Sequence, residues 1–224
     1  MDVRALHRWI LHYIIDPSIL APVAAYAWSR YRGGYQQPSW LRPFFRVQVL
    51  DLVQGVIFIS MAMAHRNNQW FRHIVQPVIF TGLLWVLALT AEEGPRRQKL
   101  FLACTAAGLL AAVAGVFVNG LFWRNALFMT TQSLIFASLG VYELRRLFNS
   151  PEGGSLKHRP EFWLAAALLV YGASALIFSA TSNFLLRSLP HNLVLAPWLL
   201  NGMVVLFYEL ALAKVFLCRT PPSS

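Results

Sequence analysis

Long apolar runs follow one another along this chain, separated at short intervals by arginine, asparagine, glycine and proline clusters. A helix crosses the hydrocarbon core of a bilayer in about 20 residues, since every backbone polar group must be satisfied within the segment. The pattern predicts seven such helices, over roughly residues 10–30, 44–65, 70–91, 98–118, 123–147, 161–184 and 191–217. The first is diluted by His12, Asp16, Pro17 and Pro22. Turn signals punctuate the rest: Arg66-Asn67-Asn68, Glu93-Gly94-Pro95, Asn119-Gly120 and Pro151-Glu152-Gly153-Gly154. The N-terminus imitates a signal peptide, with Arg4, Arg8 and an Ala25-Tyr26-Ala27 cleavage-like site. Asp16 and Pro17 interrupt the apolar stretch, so the segment is expected to be a retained span.

Composition agrees. Only 12% of the 224 residues are charged and 57% are hydrophobic, against roughly 25% charged in soluble domains. The expectation is an all-α integral membrane protein forming one domain over residues 1–224. The net charge of +10 does not point to nucleic acid, because the basic residues sit in short clusters beside apolar runs, as topogenic signals do. Sorted by side, 6 Lys and Arg fall on the face of Arg66 and Arg124, and 13 on the face of Arg96, Arg97, Arg145 and Arg146. The basic-rich face is expected to be cytoplasmic, with the N-terminus outside and the C-terminus inside. Trp9, Trp28, Trp70, Trp123, Trp163 and Trp198 lie near span ends, where interfacial anchors belong. Cys104 and Cys218 imply no disulfide framework.

A self-similarity organises the spans. Arg42-Pro43-x-Phe45 and Leu52-Val53-x-Gly55 recur 117 positions later as Arg159-Pro160-x-Phe162 and Leu169-Val170-x-Gly172. Pro77-x4-Gly82 returns as Pro197-x4-Gly202 at an offset of 120. Spans four apart point the same way across the membrane, so the units would be parallel. Residues 1–92 form a first triplet, 96–120 a linker helix rich in alanine and glycine, and 121–218 a second triplet. This three-plus-one-plus-three arrangement resembles the SWEET sugar transporters and the wider PQ-loop group, in architecture and not in motif. The chain has Gln37-Pro38 and Gln76-Pro77, both in the reverse order of the Pro-Gln dipeptide. A bacterial seven-helix family outside that group is the alternative. The resemblance implies a transporter, and internal repeats often place a substrate site at their interface near the bilayer midplane.

Polar groups inside a membrane are costly, which makes them functional candidates. Thr81 and Asn201 each precede a repeated glycine and follow a helix-loosening proline by four residues. Gln54 and Tyr171 are repeat equivalents, each beside a matched glycine. These four are the candidate substrate-binding residues, with interhelical hydrogen bonding as the structural alternative. Asp51 and Glu209 are candidates for proton coupling; alternatively, each pairs with a snorkelling base, Arg46 or Lys214. His73, Gln76, Gln132 and Asp16 are candidates for an outer entrance. His12, His65, His73 and His191 share the outer side without ligand spacing, so no metal or cofactor is expected. Glu143 and Arg146 form a helical charge pair. No hydrolase elbow, zinc-protease or phosphate-loop motif occurs, so no catalytic residues are assigned.

The expected function is transport of a small polar solute across a bacterial inner membrane. Two alternatives stand beside it: a ligand-sensing seven-helix receptor or adaptor signalling through a partner protein, and an intramembrane lipid-modifying enzyme. The expected partners are the lipid bilayer, a small-molecule ligand, and either a second copy or a signalling protein.

Overall fold

The apolar runs become helices, and the helices stop where the turn residues stand. The computed structural model describes residues 16–32, 38–90, 95–149, 155–188 and 191–218, with side chains undescribed at 16, 95–96, 182–183 and 185–196. Among the described residues the long helices are α1 (Ala21–Tyr31), α2 (Leu41–Met63), α3 (Gln69–Leu89), α4 (Pro95–Asn119), α5 (Ala126–Phe148), α6 (Pro160–Ser188) and α7 (His191–Leu217). A helical turn at Asp16–Ser18 precedes α1, and a short 3-10 helix, Leu156–His158, precedes α6. No strand occurs among the described residues.

Five of these helices, α2, α3, α4, α6 and α7, are long and apolar enough to cross a membrane. They mark the chain as an integral membrane protein. The other two expected spans are not among these five. Helix α1 has 11 residues, and residues 10–15 of the expected first span lie outside the described residues. Helix α5 is long enough, but it carries Gln132, Ser133 and Glu143, each at most 3% exposed. These groups lie on the face of α5 turned into the bundle, while Leu127, Leu134 and Val141 stay exposed on its outer face.

Consecutive helices pack side by side, and α1 returns to lie against α7, closing the ring. The closest pair is α5 and α6. Two glycines permit this approach: a Cβ at Gly140 would come 2.7 Å from the Leu169 backbone nitrogen, and one at Gly172 would come 2.6 Å from the Ser133 carbonyl. Gly55, the repeat counterpart of Gly172, meets only the tip of Ile19.

The connections fix the two ends of the bundle. At one end α2 finishes in a left-handed residue, His65 (φ 53°), with Arg66 N–H donating to Met61 O at 2.9 Å. Gly120 adopts the same hand (φ 77°) just after α4, a conformation glycine takes without steric cost. Asn67 Nδ2 donates to Phe122 O at 3.2 Å, joining the two loops. We call this the His65 end.

At the opposite, Trp40 end, Trp40 Nε1 donates to Glu161 Oε1 at 3.2 Å and ties α2 to α6. Glu143 bridges Arg97 at 2.8 Å and Arg146 at 3.0 Å. Arg97 also donates to Leu87 O at 3.0 Å. The expected Glu143–Arg146 pair is thus part of a triad, buried at Glu143 and partly exposed at Arg146, that holds α3, α4 and α5 together. Inside this end the ring is filled by aromatic side chains. Tyr26 stacks on Phe45 with centroids 3.9 Å apart, and Phe44 stacks on Phe216 at 5.0 Å.

Candidate functional site

Polar residues recur at helical spacing on two facing helices. On α2 they are Gln48, Asp51 and Gln54; on α3 they are Gln69, Arg72, His73 and Gln76. Positions three and four apart share a helix face, so each set forms a stripe. The stripes meet. Gln54 Nε2 donates to Gln76 Oε1 at 3.0 Å, and Arg72 Nε approaches the same oxygen at 3.5 Å. Arg72 interacts electrostatically with Asp51 and with Tyr171 of α6. Tyr171 packs on Tyr208 of α7 with centroids 4.7 Å apart, and Glu209 follows on the same helix, its charge acting on Asp51. Asp51, Arg72 and Tyr171 are only partly buried, whereas Gln54, Tyr208 and Glu209 are each at most 7% exposed.

Depth along the helices arranges these groups as a column. Arg72 lies one turn inside the His65 end, and Gln76 and Gln54 lie deeper. Asp51 and Tyr171 stand about ten residues in from the Trp40 end, roughly 15 Å from it. Below them the aromatic packing of Tyr26, Phe44, Phe45 and Phe216 closes the bundle. The column is therefore open toward one end and sealed toward the other.

The open end is a narrow cleft of about 240 Å³ including its mouth, lined by Gln69, Arg72, His73, Gln76, Asn125, Phe128 and Met129. Asn125 organises its far wall. Its Oδ1 accepts from Phe128 N–H at 3.0 Å, capping α5, and its Nδ2 donates to Ala112 O at 2.9 Å. The same Nδ2 donates to His73 Nδ1 at 3.2 Å, while His73 Nε2 donates to Trp123 O at 2.9 Å. The two bonds together fix which ring nitrogen of His73 carries the proton. Arg124, 7% exposed, lies behind this wall over Phe178 and Trp198, with Nε donating to Met129 Sδ at 3.2 Å.

The residues singled out from the sequence divide among several places. Gln54, Tyr171, Asp51 and Glu209 join the column, and His73 and Gln76 line its cleft. Asp51 has Arg72 as its counter-charge and Glu209 has Asp51 as its neighbour, rather than Arg46 and Lys214. Gln132 sits one turn deeper than Phe128 and Met129 on α5, 3% exposed, with no hydrogen-bond partner for Oε1 among the described residues. Asn201 lies seven residues before Tyr208, on the same face of α7 two turns away. Thr81 is elsewhere: with Pro77, Val78, Gly82, Trp85 and Leu109 it lines a separate open groove of about 670 Å³. The Asp16 side chain, His12 and the side chain of His191 lie outside the described residues. Among those described, no group of three or more His, Cys, Asp or Glu is placed to hold a metal.

The sequence reading missed Arg72, Arg124, Asn125 and Tyr208. In the sequence, Arg72 and Arg124 stand near span ends, where an arginine reads as a topogenic charge. The usable signal was the spacing of positions 69, 72, 73 and 76, a polar stripe where an interfacial segment would show polar residues on all sides.

No protein family, no curated protein and no solved structure matches this chain.

Proposed function

We propose that all seven helices cross a bacterial inner membrane, the His65 end outside, and that the protein is a permease for a small polar solute. The observation that carries this reading is the polar column. Side chains from α2, α3, α6 and α7 converge in mid-bundle on Asp51, Arg72, Tyr171 and Glu209. Such groups are expensive to place at membrane depth unless they serve a pathway or a site. Two further points support it. The narrow cleft at the His65 end borders the column on the side a solute would enter, and the aromatic packing at the Trp40 end supplies the closed side that alternating access requires. Transport then proceeds by rocking of α1–α3 against α5–α7 about α4, parting Tyr26, Phe44, Phe45 and Phe216. Asp51 and Glu209, neighbours in the interior, are the groups that would carry a coupling proton.

Counterflow in proteoliposomes tests this. A panel of radiolabelled amino acids, sugars and monocarboxylates is expected to yield at least one solute that exchanges. Asp51→Asn should cut that exchange at least tenfold without loss of reconstituted protein. Absence of exchange for every solute in the panel would refute the permease.

The sealed Trp40 end favours a second reading, a ligand-sensing receptor, since a receptor needs no exit path. Saturable solute binding to vesicle-embedded protein, with no counterflow of that solute, selects it.

A further inference from the structure

At the Trp40 end, α1 and α2 carry arginines without acids. Residues 17–50 contain Arg30, Arg32, Arg42 and Arg46 and no Asp or Glu. Elsewhere at this end the charges are matched, since Arg97 and Arg146 share Glu143. Glu161, the other carboxylate at this end among the described residues, accepts from Trp40 Nε1. Arg32 lies over the Trp28 ring, 4.7 Å from its centroid. Arg30, Arg42 and Arg46 are exposed, with no ion pair or side-chain hydrogen bond among the described residues.

Orientation in a membrane asks only for a surplus of bases on one side. The placement of these three is more specific. Ile19 lies against Gly55 and Tyr26 stacks on Phe45 with centroids 3.9 Å apart, so α1 and α2 run antiparallel. Arg30 follows Tyr26 by four residues and Arg42 precedes Phe45 by three. Both therefore lie about one turn outward of the stack, on its face of their helices. Two cations from neighbouring helices flank one point at the end of the bundle. Arg46 stands one turn along α2 from Arg42, and the same face continues through Val49, Val53 and Ile57. Val53 and Ile57 are 48% and 37% exposed, and Val53 lies about 16 Å along the helix from Arg42. Trp28 and Tyr31, exposed and stacked on α1, mark the headgroup level beside the arginines.

Cations above an exposed apolar stripe complement a phosphate above acyl chains. We propose that this face of α2, with Arg30 of α1, holds an anionic phospholipid, its phosphate between Arg30 and Arg42 and an acyl chain along Val49, Val53 and Ile57. The planar guanidinium forks suit phosphate oxygens. A zwitterionic choline lipid is disfavoured, because its ammonium would enter a cluster of arginines that offers no carboxylate. The site needs only that the chain is embedded in a membrane, so it stands for a permease or a receptor alike.

The test follows the melting temperature of full-length protein in detergent, titrated with dioleoylphosphatidylglycerol or dioleoylphosphatidylcholine. A saturable rise is expected with phosphatidylglycerol, at a lower midpoint than with phosphatidylcholine. Arg30→Gln and Arg42→Gln should each raise the phosphatidylglycerol midpoint about fivefold, the loss of one base beside an anionic headgroup. Both side chains are exposed, so the variants keep the fold. Arg145→Gln, at an exposed base of α5 at the same end, should leave the midpoint unchanged. Glycerol 3-phosphate, a headgroup phosphate without chains, should give no rise. Equal midpoints for the two lipids would overturn the site. So would an Arg145→Gln shift as large as that of Arg42→Gln, which assigns the response to the whole basic face. A rise with glycerol 3-phosphate alone would overturn it too, by assigning the arginines to a soluble phosphate.

Discussion

Gly172→Ala is expected to loosen the bundle at its tightest seam, and Gly55→Ala is expected to do almost nothing. The two glycines are counterparts in the sequence repeat, yet their surroundings differ. At Gly172 an added methyl would lie 2.6 Å from the Ser133 carbonyl oxygen and nearer still to the Ala137 backbone nitrogen. Atoms pack comfortably at about 3.5 Å, so α5 and α6 would have to part by nearly an ångström. A gap of that size forfeits roughly a quarter to a half of each facing contact. Leu164, Leu168, Phe136 and Leu139 are among the buried side chains on these two helices. Overpacking typically costs about 1–3 kcal/mol, and a clash with backbone belongs at the upper end because backbone cannot rotate away. Alanine returns about 1 kcal/mol of helix propensity. The net loss is about 2 kcal/mol, which lowers the melting temperature by roughly 4–8 °C for a chain of this size. At Gly55 the methyl meets Ile19 Cδ1 at 2.5 Å. That is the free end of a side chain which can turn aside, so the propensity gain offsets the cost to within about 0.5 kcal/mol. Intrinsic tryptophan fluorescence of detergent-purified variants, heated in parallel, measures both. The reasoning fails if Gly172→Ala melts with or above the parent, or if Gly55→Ala loses as much.

Glu143→Gln removes the shared counter-charge of Arg97 and Arg146, leaving Arg97 buried at 11% side-chain exposure. A loss of about 3 kcal/mol is expected, read from the same melting curves. Asn125→Ala takes away the α5 cap, worth about 1 kcal/mol, and removes the bonds that Nδ2 gives to the Ala112 carbonyl and His73 Nδ1. The total should reach about 2–3 kcal/mol, with hydrogen exchange accelerated first in the opening turn of α5. Burial pushes the Cys218 thiol up to about 11, Lys214 pulling less strongly the other way. In a Cys104→Ser background its maleimide labelling should therefore be slow at pH 7 and rise about tenfold per pH unit toward pH 10. A labelling rate that levels off near pH 9 would contradict that environment.

The sequence made the helices legible because lipid imposes one rule on every surface that faces it, and long apolar runs satisfy that rule visibly. Helix boundaries followed from Asn67, Asn68, Gly120 and Pro160. Where a helix does not face lipid the rule weakens. Thus α5 carries Gln132, Ser133 and Glu143 on its buried face, and only its outer face, with Leu127, Leu134 and Val141, is apolar and exposed. Half of the site was legible for the same reason: Asp51, Gln54, Gln76 and Glu209 interrupt apolar stretches and so attract notice. Arg72 and Arg124 do not, because an arginine near a span end already has an adequate explanation as an orientation signal. Only the three-dimensional neighbours separate a topogenic arginine from one turned inward.

That distinction has a consequence for how such a bundle stores polar groups. Arg72 enters from the end of α3 and reaches toward Asp51, so its backbone stays near the interface while its charge is spent inside. The arrangement places a cation at depth without interrupting the apolar core of a span, which a mid-helix arginine would do at a cost of several kcal/mol. It also leaves the side chain on a helix end, next to the Asn125–His73–Trp123 bonds that hold the α4–α5 connection. A shift of that connection would carry His73 and α3 with it and draw Arg72 away from Asp51. The α4–α5 connection and the Arg72–Asp51 interaction are thereby linked through α3.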